Sequence, residues 1–150
     1  MRASLEPLPI LLQVLREPRR MAGLALAQWD LLLRQALAAN LTASLACLAE
    51  DEGMLEALPA GPRRHLAWAL VLFSRHADAV RWEAARIGAA LAPLAAAPIM
   101  LKGAAYALAG LPPARGRLFS DLDLLVPRAA LPDVESQLMK HGWMTQHHDA

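Results

Sequence analysis

Cysteine is almost absent from this sequence of 150 residues, which contains only Cys47. A single thiol cannot form an internal disulfide or a cysteine-based metal cluster, and we expect it in the core. Long apolar runs are missing as well. The most apolar stretch, residues 87–101, is interrupted by Pro93 and Pro98, whereas a membrane-spanning helix needs about 20 consecutive apolar residues. The sequence therefore argues against a disulfide scaffold and against a membrane protein.

The chain also has no large excess of positive or negative charge. Its 15 basic side chains are balanced by 14 acidic ones, which gives a formal net charge of +1. Such a balance predicts no non-specific binding to DNA and none to a membrane surface. A secretory signal is not evident either, since Glu6, Pro7 and Pro9 interrupt the place of its apolar core. We therefore expect a cytoplasmic protein.

Apolar residues make up 56% of the chain, and in its first part they recur at helical spacing. Leucines recur at helical spacing between residues 22 and 48, with a possible break near Asn40. A second apolar face runs from about residue 66 to residue 91. We interpret residues 1–95 as an all-helical N-terminal lobe.

Three features of this lobe have simple interpretations. Pro59, Gly61 and Pro62 predict a loop between its helices. Trp68 and Trp82 are interpreted as packing anchors, because no basic stripe accompanies them as it would on a base-stacking platform. The acidic run at residues 50–52 predicts a solvated turn rather than a metal site.

The composition changes at Pro93. The short apolar run at residues 98–101 predicts a strand, Lys102 and Gly103 predict a tight turn, and the alanine-rich residues 104–109 predict a helix. This order places backbone N–H groups at a helix N-terminus, beside a glycine that would let a ligand approach closely. Such an arrangement favours phosphate.

Two aspartates one residue apart lie inside the apolar run Leu118–Val126, which predicts a buried strand. Strand geometry places Asp121 and Asp123 on one face, with Cα atoms roughly 6.5 to 7 Å apart. Both carboxylates can then reach one hard divalent ion, and oxygen ligands suit Mg²⁺ or Mn²⁺. The alternative is an edge strand with both side chains in water, or paired with Arg115 and Arg117.

The last third of the chain predicts the order β-α-β-α-β. An amphipathic helix at residues 129–141 is closed by Gly142, and residues 143–148 predict a further strand. We therefore predict an α/β (α+β) protein, in which the helical lobe precedes a mixed sheet with helices at residues 96–150.

Residues 100–105 (MLKGAA) and 117–126 (RLFSDLDLLV) carry a family resemblance. They resemble the nucleotidyltransferase superfamily that includes DNA polymerase beta. The resemblance is closest to its poorly characterised bacterial branch, in which a Leu-Lys-Gly motif precedes Arg-x-x-x-Asp-x-Asp-Leu-Leu-Val. It covers about residues 98–143, and the expected fold is the start of a nucleotidyltransferase core.

The resemblance implies Mg²⁺-dependent transfer of a nucleoside monophosphate from an NTP to an acceptor that is a small molecule, a protein or an RNA. It implies that Asp121 and Asp123 are catalytic and hold the metal ions. It further implies contacts to the triphosphate from four residues: Lys102, Gly103, Arg117 and Ser120.

A third carboxylate is usual in this superfamily, on a later strand. Asp149 is the only acidic residue after Glu135, and the resembling branch carries its third acid further downstream. We therefore expect these residues to be the front part of a longer protein. Zinc is not expected at the histidines, because His147 and His148 are adjacent and would point to opposite faces of a strand.

Two other functions stay open at this point. A non-catalytic module could keep the nucleotidyltransferase fold and bind a partner through its helical lobe. Small nucleotidyltransferases of the toxin or antitoxin type are the other alternative, with a protein or a transfer RNA as the acceptor.

Overall fold

A computed structural model describes residues 8–95 and 97–144 of the chain. These residues form six α-helices and two short strands, so the prediction of an α+β protein is confirmed in this coarse sense. In chain order, the elements are α1 (Ile10–Arg16), α2 (Leu26–Ala38), α3 (Thr42–Asp51), α4 (Ala60–Leu91), β1 (Ile99–Met100), α5 (Lys102–Leu108), β2 (Leu124–Leu125) and α6 (Leu131–Lys140). Short 3₁₀ helices occupy Pro18–Gly23, Leu55–Ala57, Pro112–Ala114 and Arg128–Ala130.

The chain divides into two compact units. The first comprises the residues up to Arg75 together with Arg115–Leu118, and the second comprises His76–Ala114 and the residues from Phe119 onward. Helix α4 is divided between the two units, because the boundary between Arg75 and His76 falls within it. The functional division predicted between residues 95 and 96 stays a prediction.

The first unit is built around an apolar core from α1, α2, α3 and the first part of α4. Its largest fully buried side chains are those of Val14, Met21, Trp29, Leu32, Leu45 and Leu66. The predicted break near Asn40 is confirmed, since Asn40 lies between α2 and α3 with φ of +56°. Asparagine tolerates this left-handed conformation better than most residues. Cys47 is buried as expected, and burial raises the pKa of its thiol.

The segment Arg115–Leu118 is attached to α3 of the first unit by polar contacts. The Arg115 guanidinium donates to Asp51 Oδ2 at 2.9 Å and to Glu50 Oε2 at 2.7 Å. This hydrogen bonding from Arg115 holds the pKa of the Asp51 carboxyl below its usual range. The Ser44 hydroxyl donates to the Gly116 carbonyl at 3.0 Å. The acidic run is thus exposed as predicted, but it also binds an arginine that is distant in sequence.

The loop predicted at residues 59–62 is shorter than expected. Helix α4 already begins at Ala60, so that Gly61 and Pro62 lie in its first turn. Proline is tolerated there because the N–H groups of a first turn have no partner within the helix.

The interpretation of Trp68 and Trp82 as packing anchors is wrong. Their exposed fractions are 64% and 61%. Each follows a buried residue of α4 by two positions, Leu66 and Val80 respectively. Two positions correspond to roughly 200° around a helix, so the tryptophans project away from the buried stripe.

None of the helices in residues 8–95 and 97–144 is long and apolar enough to cross a membrane.

The second unit packs its two strands against helices. Its core contains Ile87, Leu91 and Val134, and the partly buried Met100, Leu122, Leu124, Val126 and Leu138 pack against it. The strands pair antiparallel, with Ile99 opposite Leu125 and Met100 opposite Leu124. Helix α6 and the closing Gly142, which has φ of +97°, agree with the prediction.

The predicted strand at Leu118–Val126 is wrong in its length, because only Leu124–Leu125 are assigned to a strand. Its partner β1 is equally short, and beyond the Leu101–Asp123 hydrogen bond the backbone of the predicted strand does not continue the ladder. The Phe119 N–H, for example, donates to the His76 ring. Trp143 and Met144 form no strand, and residues 145–150, with His147, His148 and Asp149, lie outside the described residues.

Candidate active site

Asp123 is positioned by the backbone ladder between the two strands. The Leu101 N–H donates to the Asp123 carbonyl at 2.9 Å, which extends the pairing one residue beyond β1 and β2. Side chains alternate between the faces of an extended segment. Asp123 therefore lies on the same face as Leu125, which is 53% exposed, and opposite to Leu124 in the second core.

Asp121 is exposed and Asp123 is half-buried, while Leu122 between them packs against the second core. This pattern is typical of an extended segment with one side in a core and the other toward solvent. Of the two arginines named in the alternative, Arg115 binds Glu50 and Asp51 within the first unit.

Lys102 supplies the positive charge beside Asp123. Its Nζ atom lies 3.0 Å from Asp123 Oδ1, and the exposed fractions of the two side chains are 67% and 32%. Lys102 is the first residue of α5 and has φ of +49°, which is uncommon for a residue other than glycine. The tight turn predicted at Lys102 and Gly103 thus contains a left-handed residue, which is Lys102.

Gly103 is buried beneath the Phe119 ring. A Cβ atom built on Gly103 would lie 2.8 Å from Phe119 Cδ1. Packing against this ring explains why glycine occupies position 103, whereas a contact between Gly103 and a triphosphate stays a prediction. The same ring meets the His76 ring edge-on, with the centroids 4.7 Å apart.

We expect the substitution Gly103→Ala to destabilise the second unit by about 1 to 2 kcal/mol, because the cost of overpacking exceeds the helix propensity gained from alanine. The double variant Gly103→Ala with Phe119→Leu should lose less than the two single variants added together. Urea unfolding followed by circular dichroism measures both values. Strict additivity would show that the ring and the added methyl group do not meet.

The contacts of His76 with Phe119 could not be found from sequence spacing, which indicates only an isolated histidine at the surface or in the core. The Phe119 N–H donates to His76 Nε2 at 3.4 Å, so the ring is neutral with its proton on Nδ1. Burial lowers the pKa of His76, because it disfavours the charged imidazolium.

The lowered pKa of His76 predicts a dependence of stability on acid. The unfolded chain binds this proton below about pH 6.5, where the folded chain still resists it. Neutral His76 therefore contributes fully to the stability of the folded chain above that pH. This contribution is lost as the pH falls through the lowered pKa that His76 has in the folded chain. We expect the melting temperature of wild type to fall more between pH 7.5 and 5.5 than that of His76→Gln, whose amide oxygen can still accept the hydrogen bond. Equal falls would contradict this role.

Ser120, another residue of the sequence motif, makes no hydrogen bond with Lys102 or Asp123 in the part of the chain that the structure describes. Ser120 lines a hollow of about 420 Å³ together with Leu122 and Leu124, on the core side of the segment. Arg117 is exposed and belongs to the first unit. Of the motif residues, the structure thus brings Lys102 and Asp123 into direct contact.

Asp121 and Asp123 offer carboxylate oxygens, which are the ligands that a hard divalent cation prefers. The residues that the structure describes contain no cluster of three or more histidine, cysteine, aspartate or glutamate side chains that could hold a metal. Mg²⁺ does not need such a cluster, since it commonly binds one or two carboxylates and completes its shell with water and substrate phosphates. The Lys102 ammonium lies 3.0 Å from Asp123 Oδ1, so a metal ion at this oxygen would have to share or replace that contact.

A family model described as "Uncharacterised nucleotidyltransferase" matches residues 25–150. No curated protein and no solved structure matches the chain at a significant level. The family match covers most of the first unit and all of the second, and it agrees with the resemblance carried by the Lys-Gly and Asp-x-Asp motifs. The chain belongs to this family of uncharacterised nucleotidyltransferases.

Proposed function

We propose that the chain carries the catalytic aspartates of a Mg²⁺-dependent nucleotidyltransferase that transfers a nucleoside monophosphate from an NTP to an acceptor. In this reaction an acceptor oxygen forms a bond to the α-phosphorus, and the bond from that phosphorus to the bridging oxygen breaks to release pyrophosphate. The observation that carries the proposal is the position of Asp123. Its backbone is held by Leu101, and its side chain lies on the solvent side of the sheet next to Lys102.

Asp121 and Asp123 would hold Mg²⁺ or Mn²⁺ through their carboxylate oxygens. Bound Mg²⁺ would offset the charge of the triphosphate and of the departing pyrophosphate. The carboxylate of Asp121 is exposed and that of Asp123 is half-buried. Both can therefore be reached by a hydrated ion that arrives with its nucleotide.

Four residues are proposed to contact the triphosphate, and they differ in how far the structure supports them. Lys102 is well placed to reach phosphate oxygens, because its ammonium is exposed beside Asp123. Arg117 offers a forked guanidinium suited to pairs of oxygens. Gly103 and Ser120 enter the proposal through the family resemblance. The nucleotidyltransferase-type mixed sheet, with a third carboxylate on a later strand, is proposed on the same basis. A cytoplasmic location is proposed from the composition of the sequence alone.

A second candidate function is a non-catalytic module that binds a partner through the helical lobe. It is favoured by large apolar side chains at the surface of the first unit. Leu26, Leu37 and Trp68 have exposed fractions of 68%, 74% and 64%. Such side chains contribute strongly when an interface covers them.

Calorimetric titration with each NTP, with and without Mg²⁺, separates the two functions. A nucleotidyltransferase should bind at least one NTP with an affinity that Mg²⁺ increases, and Asp123→Asn should remove the increase. Asp133→Asn is the matched control, because Asp133 is an exposed carboxylate of the same unit on α6. NTP binding that is absent, or indifferent to Mg²⁺, would favour the partner-binding module.

A further inference from the structure

We propose that the Lys102 ammonium is the resting counter-ion of Asp123, which a divalent cation displaces and which then moves to the phosphates of the nucleotide. The inference rests on the proposed function, because that function brings the cation to Asp123. In this role Lys102 is a positioning residue for the metal site. The ammonium neutralises the negative charge of the Asp123 carboxylate before the nucleotide arrives. It then leaves the carboxylate and binds the negatively charged phosphates of the nucleotide.

The geometry around Lys102 keeps the two charged groups together. The Leu101 N–H, directly before Lys102, fixes the Asp123 carbonyl at 2.9 Å, and the Lys102 Nζ atom then reaches Asp123 Oδ1 at 3.0 Å. The backbone of Lys102 is left-handed, with φ of +49°. Such conformations persist where the surrounding structure holds them, and they concentrate at functional sites.

The same ion pair is easy to break. The Lys102 side chain is 67% exposed, and an exposed ion pair is only weakly stabilising because water solvates both charges. Lysine is a point charge on a flexible stem, so it can follow a new anion without a change in the backbone. Within residues 8–95 and 97–144, Oδ1 is the only oxygen of this carboxylate with a hydrogen-bond partner. Its second oxygen can therefore meet an incoming ion before the lysine has left.

If a metal ion displaces Lys102, removal of the lysine charge should affect the binding of two ligands in opposite directions. The two ligands are the metal alone and the metal together with a nucleotide. A metal ion that binds alone must compete with the ammonium, so removal of the lysine charge should strengthen its binding. A metal bound with a nucleotide gains the lysine as a phosphate ligand, so the same removal should weaken its binding. A lysine that served only the phosphates would leave the binding of the metal alone unchanged.

The test is a titration of the full chain with Mn²⁺ alone, in which the free ion is followed by electron paramagnetic resonance. Lys102→Met keeps an unbranched side chain one atom shorter than lysine and removes its charge. We expect it to bind Mn²⁺ about two- to fivefold more tightly than wild type, the range that corresponds to an exposed ion pair. It should also bind a non-hydrolysable ATP analogue in the presence of Mg²⁺ more weakly than wild type.

Two further variants assign the gain to the contact. In the double variant Lys102→Met with Asp123→Asn, the gain over Asp123→Asn alone should vanish, because the competing partner has been removed. Arg128→Gln removes an exposed charge that lies three residues after β2 and makes no ion pair among the described residues. It should leave Mn²⁺ affinity within twofold of wild type and so controls for net charge.

The outcomes separate this inference from the proposed function. Tighter Mn²⁺ binding by Lys102→Met, or Mn²⁺ binding by this variant alone, supports the displacement. Equal affinities in wild type and Lys102→Met overturn it and leave the metal site standing, as does an equal gain in Arg128→Gln. Absence of Mn²⁺ binding from both wild type and Lys102→Met overturns the inference and the proposed metal site together.

Discussion

Replacing Gly116 by alanine is expected to lower the free energy of unfolding by about 2 to 5 kcal/mol, because two costs add at this position. Gly116 has φ of +70°, which L side chains rarely adopt, and a Cβ atom would lie 2.5 Å from Ser44 Cα and 2.9 Å from the Ala43 carbonyl oxygen. These neighbours are backbone atoms of α3, which cannot rotate away. The hydrogen bond from Ser44 Oγ to the Gly116 carbonyl would be lost as the segment shifts.

Gly53→Ala is the matched control for this substitution. Gly53 belongs to the same unit and has φ of +65°, but nothing lies within 4 Å of its added Cβ. It should carry only the conformational cost, about 1 kcal/mol. Urea unfolding of both variants isolates the cost of the contact with Ser44. Equal losses in the two variants would mean that the Arg115–Leu118 segment does not lie against α3.

The second large effect is expected at the aspartates, where either Asp121→Asn or Asp123→Asn should lower Mg²⁺-dependent NTP turnover by at least about a hundredfold, the loss of roughly 3 kcal/mol of transition-state stabilisation. An amide keeps the size of the side chain and removes the charge that a hard cation requires. Circular dichroism should show unchanged helix content, because both positions precede β2 and neither carboxylate is buried.

Turnover is measured as pyrophosphate release from each NTP. The variants are compared with the wild-type protein, whose activity is established first in the same assay. Asp133→Asn, on the exposed first turn of α6, should keep the activity of wild type. Normal turnover in the double variant Asp121→Asn with Asp123→Asn would refute the assignment of both residues.

The sequence is most informative where local rules act alone. The break between α2 and α3 at Asn40 follows from the tolerance of asparagine for a left-handed backbone. The exposed face of Asp123 follows from alternation along an extended segment. The resemblance to the nucleotidyltransferase superfamily is supported by the family match to residues 25–150.

The features that the sequence does not reveal depend on contacts between distant residues. Arg115 binds Asp51 across 64 positions of the chain, and no spacing rule selects that carboxylate from the other acidic residues. Gly103 lies beneath the Phe119 ring, which is 16 positions away in sequence, and no spacing rule indicates that contact. The interpretation of the α4 tryptophans fails because a large aromatic side chain suggests a core, whereas their position on the helix directs them to solvent.

The decisive test of the proposed metal site is a crystal structure of the chain grown with Mn²⁺ and a non-hydrolysable NTP analogue, in which anomalous scattering locates the ion. If both aspartates hold the metal, an anomalous peak should lie about 2.0 to 2.3 Å from carboxylate oxygens of Asp121 and Asp123. The Lys102 ammonium should then have moved from Asp123 to a phosphate oxygen. A bound analogue with its Mn²⁺ away from both aspartates, and with Lys102 still on Asp123, would contradict the proposal.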